Sequence, residues 1–336
     1  MALLGLDIGG TKRVLVIGER VGERDGDHTI RPLVRRRTAM RFSGDWRVDL
    51  ASIVADAEVL VAEARAGGCG PLEAIGVAAP GPVDRGAGLL RNPPNLPGWR
   101  DVPLAQVLGE AFGIPVRIEN DANAAALAEH RFGAGRGTED MVYLTMSTGI
   151  GGGVVSGGRL VVGANGFAGE LGHMPVVRGG LRCPCGLRGC LEAYVGGQAW
   201  AKRLRRRTPD SSRIHALAGG ERAKIGSELL LAAAEEGDAF ALAELARWLD
   251  FLALGIASIV MAFDPERIVL GTIAVAAGES LCFAPLRERV RALVWPGQSE
   301  RLEIVPAALG AELPEQAALA VADAGSGFQA NARPRA

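Results

Sequence analysis

The chain has 336 residues, of which 48% are hydrophobic and 22% charged, the balance of a folded protein with an extensive apolar core. Its 37 basic and 38 acidic residues give a formal charge of −1, which argues against nucleic acid or an anionic membrane as a partner. The N-terminal stretch lacks the segments of a signal peptide, so we expect a cytoplasmic protein, in which clustered cysteines more often bind metal than form disulfides.

The first half of the chain alternates strand-like and helix-like patterns. Two β-like runs, LLGLDI and RVLVIG, flank a glycine turn, and a third strand is expected around residues 30–38. The apolar spacing in ASIVADAEVLVAEARAGG predicts a helix that ends at the Gly-Gly pair. AIGVAAPG predicts a buried strand, and VRIE predicts a strand that leads directly into an Ala-rich helix, DANAAALAEHRF.

The second half begins with the same pattern. MVYLTM predicts a buried strand, a second glycine turn follows, and GVVSGGRLVVGANG reads as a hairpin, so we expect a duplicated α/β architecture. Residues 251–263 form an uncharged run of thirteen residues, which is too short to cross a membrane and predicts a buried helix. RIVLG predicts a late strand, and ELPEQAALAVADA predicts the last helix.

Both glycine turns are suited to bind phosphate. In the first, Gly9 and Gly10 allow backbone N–H groups to approach an anion, Thr11 adds a hydroxyl and Lys12 a positive charge. Asp7 can hold Mg²⁺ beside phosphate oxygens, although a tight hairpin around a buried aspartate is the alternative interpretation. The second turn, residues 147–153, has four glycines in five positions, more than a hairpin needs. Neither turn is a Walker A loop.

Residues 183–190 read CPCGLRGC, which places three cysteines within eight positions. Together with an upstream histidine they supply the three thiolates and one imidazole of a structural Zn²⁺ site. Gly186 and Gly189 allow the chain to fold back so that the sulfurs converge. Reduced cysteines in a surface loop, or a redox pair, are the alternatives. The expected ligands are His173, Cys183, Cys185 and Cys190.

The segment ENDAN, residues 119–123, joins a predicted strand to the Ala-rich helix. Asn120 or Asp121 is expected to cap that helix. A carboxylate at a helix N-terminus stays ionised, so Asp121 is also suited to accept a proton. Upstream, PGPVD and NPPNLPGW form a Pro/Gly-rich loop that reads as a rigid connector, and Trp99 is expected either in the core or in the floor of a binding site.

The motifs DIGGTK, ENDANAA, STGIGGG, GELGH and CPCGLRGCLE, in this order, resemble the ROK family of sugar kinases and related repressors, and most closely its glucokinase-type members. The likeness extends over about residues 3–325. It implies a two-domain α/β fold of the actin-like ATPase (ribonuclease H-like) type, with the active site in the interdomain cleft. It also implies transfer of the γ-phosphate of Mg-ATP to a hexose hydroxyl, with glucose as the leading acceptor.

The resemblance further implies a domain division and residue roles. We expect one domain to comprise residues 1–118 and 309–325, the other residues 119–308 with the zinc loop, and residues 326–336 to form a disordered tail. Asp121 is implied as the catalytic base. Sugar contacts are implied for Gly81, Asn95, Asn120, Asp121, Glu170, His173 and Glu192. ATP contacts are implied for Asp7, Gly9, Gly10, Thr11, Lys12, Thr148, Gly149, Gly151, Gly152 and Gly271.

Several alternatives stay open. The family's late glycine-rich turn reads LGTI here, with Gly271 alone retained, so the adenosine contacts are less certain and polyphosphate is an alternative donor. N-acetylmannosamine, N-acetylglucosamine, fructose and mannose are alternative acceptors. A sugar-responsive transcriptional repressor is the alternative from another class, but the first turn begins too early to leave room for a preceding helix-turn-helix module. A homodimer is expected, to which the apolar helix around residues 240–263 contributes.

Overall fold

The strands of the chain largely follow the predicted order. The computed structural model describes residues 1–22 and 29–324, so the predicted tail, residues 326–336, lies outside the described residues. The strands are β1 (Ala2–Ile8), β2 (Lys12–Val21), β3 (Thr29–Ala39), β4 (Leu72–Ala79), β5 (Val83–Asp84), β6 (Leu89–Leu90), β7 (Val116–Asn120), β8 (Met141–Met146), β9 (Ile150–Ser156), β10 (Arg159–Leu160), β11 (Arg267–Leu270) and β12 (Glu303–Pro306).

The helices include several that no sequence pattern above predicted. They are α1 (Trp46–Ala66), α2 (Leu104–Phe112), α3 (Asp121–Phe132), α4 (Glu192–Val195), α5 (Gly197–Arg207), α6 (Arg213–Leu217), α7 (Ser227–Glu235), α8 (Ala239–Phe263), α9 (Ile273–Gly278), α10 (Ala284–Arg291), α11 (Pro296–Ser299) and α12 (Leu313–Asp323). The helices without a predicted counterpart are α2, α4, α5, α6, α7, α9, α10 and α11, all of eleven residues or fewer.

The chain divides into two units. Unit 1 comprises Met1–Arg136, Arg159–Ala168 and the segment that begins at Leu309, and unit 2 comprises Gly137–Gly158 and Gly169–Ala308. The predicted boundary at residue 118 differs from this division. Helix α3 belongs to unit 1 because Leu127 and the alanines around it pack against Val321 and neighbouring alanines of α12.

Unit 1 is built on a sheet with the strand order β3-β2-β1-β4-β7. Strands β1 and β2 are antiparallel, whereas β1, β4 and β7 are parallel. The central strands β1 and β4 are mostly apolar, as expected for a sheet with both faces covered. Helix α1 packs through Leu50 and Ile53 on one face, and Leu319 of α12 packs on the other. A Cβ at Gly76 would overlap with the backbone of α12, so this glycine allows the helix to approach closely.

Unit 2 repeats this topology. Strands β9, β8, β11 and β12 follow the same order and the same directions as β2, β1, β4 and β7, with β8 and β9 antiparallel and β8, β11 and β12 parallel. The predicted duplication is therefore confirmed at the level of the fold. In both units the glycine turn follows the central strand, so each turn lies at the carboxyl edge of three parallel strands, where α/β folds bind ligands.

Helix α8 is long and apolar enough to cross a membrane by length and composition alone. Its inner face, however, is buried within unit 2, as the sequence predicted. Trp248 is fully buried and stacks on Trp200 of α5, and its indole N–H donates to the carbonyl oxygen of Val195 at 2.9 Å. The helix begins at the cap Asp238, which accepts a hydrogen bond from the amide of Ala241 at 2.8 Å.

Candidate active site

The first glycine turn joins β1 to β2 in unit 1. The Gly9 amide donates to the carbonyl oxygen of Lys12 at 2.9 Å, which closes the turn, and Thr11 and Lys12 are exposed. A Cβ at Gly10 would lie 2.7 Å from the carbonyl oxygen of Asn95, so only glycine fits against the Pro/Gly-rich loop. The structure thus brings the first turn and Asn95 together, although they are far apart in the sequence.

The Pro/Gly-rich loop is anchored in the core of unit 1. Trp99 is 1% exposed, and its indole N–H donates to the buried carboxylate of Asp49 at 3.0 Å. Leu96 is also buried, whereas Asn95 is exposed. Of the two expectations for Trp99, core packing is therefore the one that the structure bears out, and the tryptophan holds the loop that presents Asn95.

Asp7 and Asp121 influence each other electrostatically. Asp7 is half-buried at the end of β1, and Asp121 is the exposed first residue of α3. Burial and the charge of Asp121 raise the pKa of Asp7 to about 7, against the opposing charges of Lys12 and Arg37. Two carboxylates that repel each other in this way beside the first glycine turn are a donor set that suits a hard divalent cation.

Asn120 caps α3, as predicted. Its side-chain oxygen accepts hydrogen bonds from the amides of Ala122 at 3.0 Å and Asn123 at 3.3 Å. Asp121 Oδ1 accepts from the amide of Ala122 at 2.8 Å, which fixes the carboxylate at the helix N-terminus. A Cβ at Gly81 would lie 3.1 Å from Asn120 Nδ2, so Gly81 and Asn120 are neighbours in this part of unit 1.

Behind this group lies a buried ion pair that sequence reasoning missed. Glu119 is 1% exposed and pairs with Arg85, which lies between the short strands β5 and β6. Glu119 Oε1 accepts from the amide of Asn120 at 2.8 Å and from Asn123 Nδ2 at 3.1 Å. Burial raises the pKa of Glu119 despite the charge of Arg85 and these hydrogen bonds. The available signal was an acidic residue within a predicted strand.

The second glycine turn follows β8 in unit 2 and comprises residues 147–149. The amides of Gly197 and Gln198, at the start of α5, donate to the carbonyl oxygens of Ser147 and Thr148 at 2.8 and 2.9 Å. Ser147 and Thr148 are exposed. Gly151 and Gly152, which the sequence placed in the turn, instead lie within β9 and pair with β8. They belong to the strand because β9 begins at Ile150.

The predicted metal ligands converge in unit 2. The donor atoms of His173, Cys183, Cys185 and Cys190 all lie within 4.8 Å of one another. His173 Nδ1 lies 3.7 Å from Cys183 Sγ, and Cys185 Sγ lies 3.7 Å from Cys190 Sγ. Tetrahedral Zn²⁺ with bonds of about 2.3 Å to sulfur separates its sulfur ligands by about 3.8 Å, so the spacing fits this ion.

Gly189 is required for this convergence, as the sequence suggested. Its φ is +83°, and a Cβ would overlap with the carbonyl oxygen of Val177. Any other residue would therefore push the chain away from the position that aligns Cys190 with the other sulfurs.

Two carboxylates flank the cluster of one histidine and three cysteines. Glu170 is 54% exposed, and its Oε2 lies 3.9 Å from His173 Nε2, the ring nitrogen that faces away from the sulfurs. Glu192 Oε1 lies 3.6 Å from Cys183 Sγ, while its Oε2 accepts from the amide of Ile150 at 2.8 Å. Glu192 therefore links the cluster to the second glycine turn, a connection that the sequence did not reveal.

Gly271 lies beside the second turn as well. Its amide donates to the carbonyl oxygen of Leu144 at 2.8 Å, and a Cβ would lie 2.9 Å from the hydroxyl of Tyr143. The residue is buried at the carboxyl end of β11, next to the end of β8. Gly271 is thus at the edge of the sheet from which the second turn departs.

Comparison with known proteins gives consistent results. The sequence profile described as ROK family matches residues 3–324. The glucokinase of Thermotoga maritima is 38% identical over 311 residues, 92% of this chain and 93% of that protein. The ROK hexokinase of Thermus thermophilus has a TM-score of 0.77 and 38% identity, covering 96% of this chain and 98% of that one. A ROK family glucokinase from Streptomyces griseus, solved with glucose and AMPPNP, has a TM-score of 0.73 and 32% identity, covering 96% and 99%.

Proposed function

Because the chain belongs to the ROK family and has its actin-like ATPase fold, we propose that it is an ATP-dependent glucose kinase. The observation that carries this proposal is the position of Asp121. Its carboxylate is exposed at the N-terminus of α3, with Asn120 and Gly81 beside it and its charge acting on Asp7 next to a phosphate-type turn. A glucose hydroxyl bound next to Asp121 would have a proton acceptor close to the first glycine turn, which is proposed to bind phosphate.

Asp121 is proposed as the general base. The N-terminus of the twelve-residue helix α3 and the hydrogen bond from the Ala122 amide favour its ionised form. An ionised carboxylate is a weak base, but transfer of a phosphoryl group has a loose transition state in which the hydroxyl loses its proton late. Orientation of the hydroxyl and late acceptance of the proton therefore suffice. Asn120, Gly81 and Asn95 are proposed to bind the sugar beside this base.

The two glycine turns are proposed to bind the phosphates of ATP. Gly9, Gly10, Thr11 and Lys12 would do so in unit 1, and Thr148 and Gly149 in unit 2, where Gly151, Gly152 and Gly271 support the turn from the sheet. The carboxylate of Asp7, which is repelled by that of Asp121, is proposed to hold Mg²⁺. When bound, this ion would neutralise charge on the phosphate oxygens.

The cluster of His173, Cys183, Cys185 and Cys190 is proposed to hold structural Zn²⁺. The spacing of its donor atoms supports this ion, as does the chemistry of three thiolates and one imidazole. Because Nδ1 of His173 faces the sulfurs, its Nε2 lies near the exposed carboxylate of Glu170, and these two groups are proposed to bind hydroxyl groups of the sugar. Glu192 is proposed to complete this set.

We further infer a cytoplasmic homodimer. The outward face of α8 carries the exposed apolar residues Leu242, Leu254 and Met261, which a second copy of the chain would cover. This proposal agrees with the expectation from the sequence that α8 contributes to dimerisation.

A coupled assay with purified protein tests the proposed activity. ATP is supplied with glucose, mannose, fructose, N-acetylglucosamine or N-acetylmannosamine, and ADP release is followed. We expect the highest kcat/KM for glucose. If an acetamido sugar is preferred, the protein is a sugar kinase with a different acceptor. If no sugar causes ADP release, the proposal is refuted.

A further inference from the structure

Thr272 adopts a backbone conformation that β-branched residues avoid. Its φ is 47° and its ψ is −105°. In the described part of the chain the other non-glycine residues with positive φ are Asp101 and Asp264. Asp264 has a ψ of 52° and so lies in the left-handed region, which aspartate tolerates because its short polar side chain bonds locally. A threonine held in this conformation needs a compensating contact.

The hydroxyl of Thr272 makes that contact. Its Oγ1 accepts from the amide of Met146 at 3.0 Å and donates to the carbonyl oxygen of the same residue, 126 positions earlier in the chain. Gly271 is the last residue whose amide bonds to β8, through the carbonyl oxygen of Leu144. The chain then leaves the sheet. At the next residue, the side-chain hydroxyl of Thr272, rather than the backbone, bonds to β8 at Met146.

The residue that Thr272 holds is the starting point of the second glycine turn. Met146 is the last residue of β8, and residues 147–149 follow at once. Within the turn, the carbonyl oxygens of Ser147 and Thr148 accept from the amides at the start of α5, and after the turn Glu192 accepts from the amide of Ile150. Thr272 adds a contact at Met146, the residue that directly precedes the turn, and so fixes the point at which the turn leaves β8.

We infer that Thr272 is a positioning residue for the phosphate donor, because its hydroxyl holds the second glycine turn in the orientation in which it binds the phosphates of ATP. This inference rests on the proposed function, since that function assigns the turn to ATP. Glycine at this position would relieve the backbone strain but would lack the hydroxyl that bonds to Met146.

Three variants separate the hydroxyl from the backbone conformation. Thr272→Gly relieves the strained φ and removes the hydroxyl, Thr272→Val keeps the branched shape without the hydroxyl, and Thr272→Ser keeps the hydroxyl. Loss of one or two well-made hydrogen bonds should raise the KM for ATP about tenfold in the Gly and Val variants. We expect the KM for glucose to stay within about twofold in all three, and Thr272→Ser to retain the KM for ATP of the unsubstituted protein.

The melting temperature and nucleotide binding complete the test. Thr272→Gly should melt no lower than the unsubstituted protein, because the strain is relieved, yet bind Mg-AMPPNP more weakly by calorimetry. An unchanged KM for ATP in Thr272→Gly would overturn the inference, as would parallel increases of both KM values together with a lower melting temperature. If the unsubstituted protein shows no kinase activity, the proposed function fails, and the Mg-AMPPNP affinities of the same variants still decide the role of Thr272.

Discussion

Glu119 and Arg85 form a buried ion pair directly behind the segment that carries Asp121. The remaining oxygen of Glu119 accepts hydrogen bonds from the Asn120 amide and from the side chain of Asn123. The pair thereby connects the β5–β6 hairpin to the start of α3. Because Gly81 and Asn120 are neighbours, the same connection fixes the loop that begins this hairpin.

We expect Arg85→Met to destabilise unit 1, because it leaves the Glu119 carboxylate buried without its counter-charge. The cost of breaking one side of such a pair is about 3–5 kcal/mol. Chemical denaturation measures it, and the double variant Arg85→Met with Glu119→Gln should recover part of the loss. Arg100→Met, at an exposed arginine of the same unit, is the matched control. Equal losses in the single and double variants would show that the two side chains do not interact.

Cys183→Ser should abolish stoichiometric metal binding, since the buried sulfur of Cys183 is one of the four converging donors. Elemental analysis should find about one zinc per chain in the unsubstituted protein and far less in the variant. Cys69→Ser, outside the cluster, is the control and should keep its zinc. Less than half an equivalent of metal in the unsubstituted protein would contradict the zinc assignment.

Gly149→Ala should weaken substrate binding through Glu192. A Cβ at residue 149 would overlap with Glu192 Oε2, the oxygen that accepts from the Ile150 amide. The displaced carboxylate would lose about 1–3 kcal/mol of interaction, which corresponds to a rise of about 5- to 150-fold in the KM for glucose or for ATP. Gly70→Ala, where the added methyl group meets open space, serves as the comparison. If both variants have the same KM values, the contact with Glu192 has no part in binding.

The lowered pKa of Asp49 should make the free energy of unfolding depend on pH. Burial would raise its pKa, but hydrogen bonds from Ser43 and Trp99 and the charge of Arg13 outweigh this effect, so the pKa is lowered. The ionised form is therefore favoured by folding, and its contribution is present above the unfolded pKa of about 4 and lost as the pH falls through the folded value.

Asp49→Asn should consequently cost about 1–2 kcal/mol at pH 7 and progressively less below about pH 4. Urea denaturation across this range measures the difference, with Glu58→Gln on the exposed face of α1 as the control. A difference that grows as the pH falls would mean that the sign of the pKa shift is wrong.

Local sequence patterns correctly predicted the family, the duplicated sheets, the two glycine turns and the convergence of one histidine with three cysteines. These features depend on residues close together in the chain, such as the three cysteines of residues 183–190. Contacts between residues far apart in the chain produce no such local pattern in the sequence. Thr272 and Met146 are 126 positions apart, and Arg85, between β5 and β6, pairs with Glu119 on β7, so neither contact was foreseeable. The division into two compact units differs from the predicted boundary at residue 118 because the alanines of α3 gave no indication that they pack on α12.

The substitution Asp121→Asn, measured in the ATP-coupled glucose assay, tests the proposed chemistry most directly. The amide keeps the size of the side chain and its place at the helix N-terminus but cannot accept the proton. We expect an unchanged melting temperature and a fall in kcat of about 10²–10⁴-fold, with Asp250→Asn on the surface of α8 unaffected. A folded Asp121→Asn protein that turns over glucose at nearly the unsubstituted rate would contradict the account.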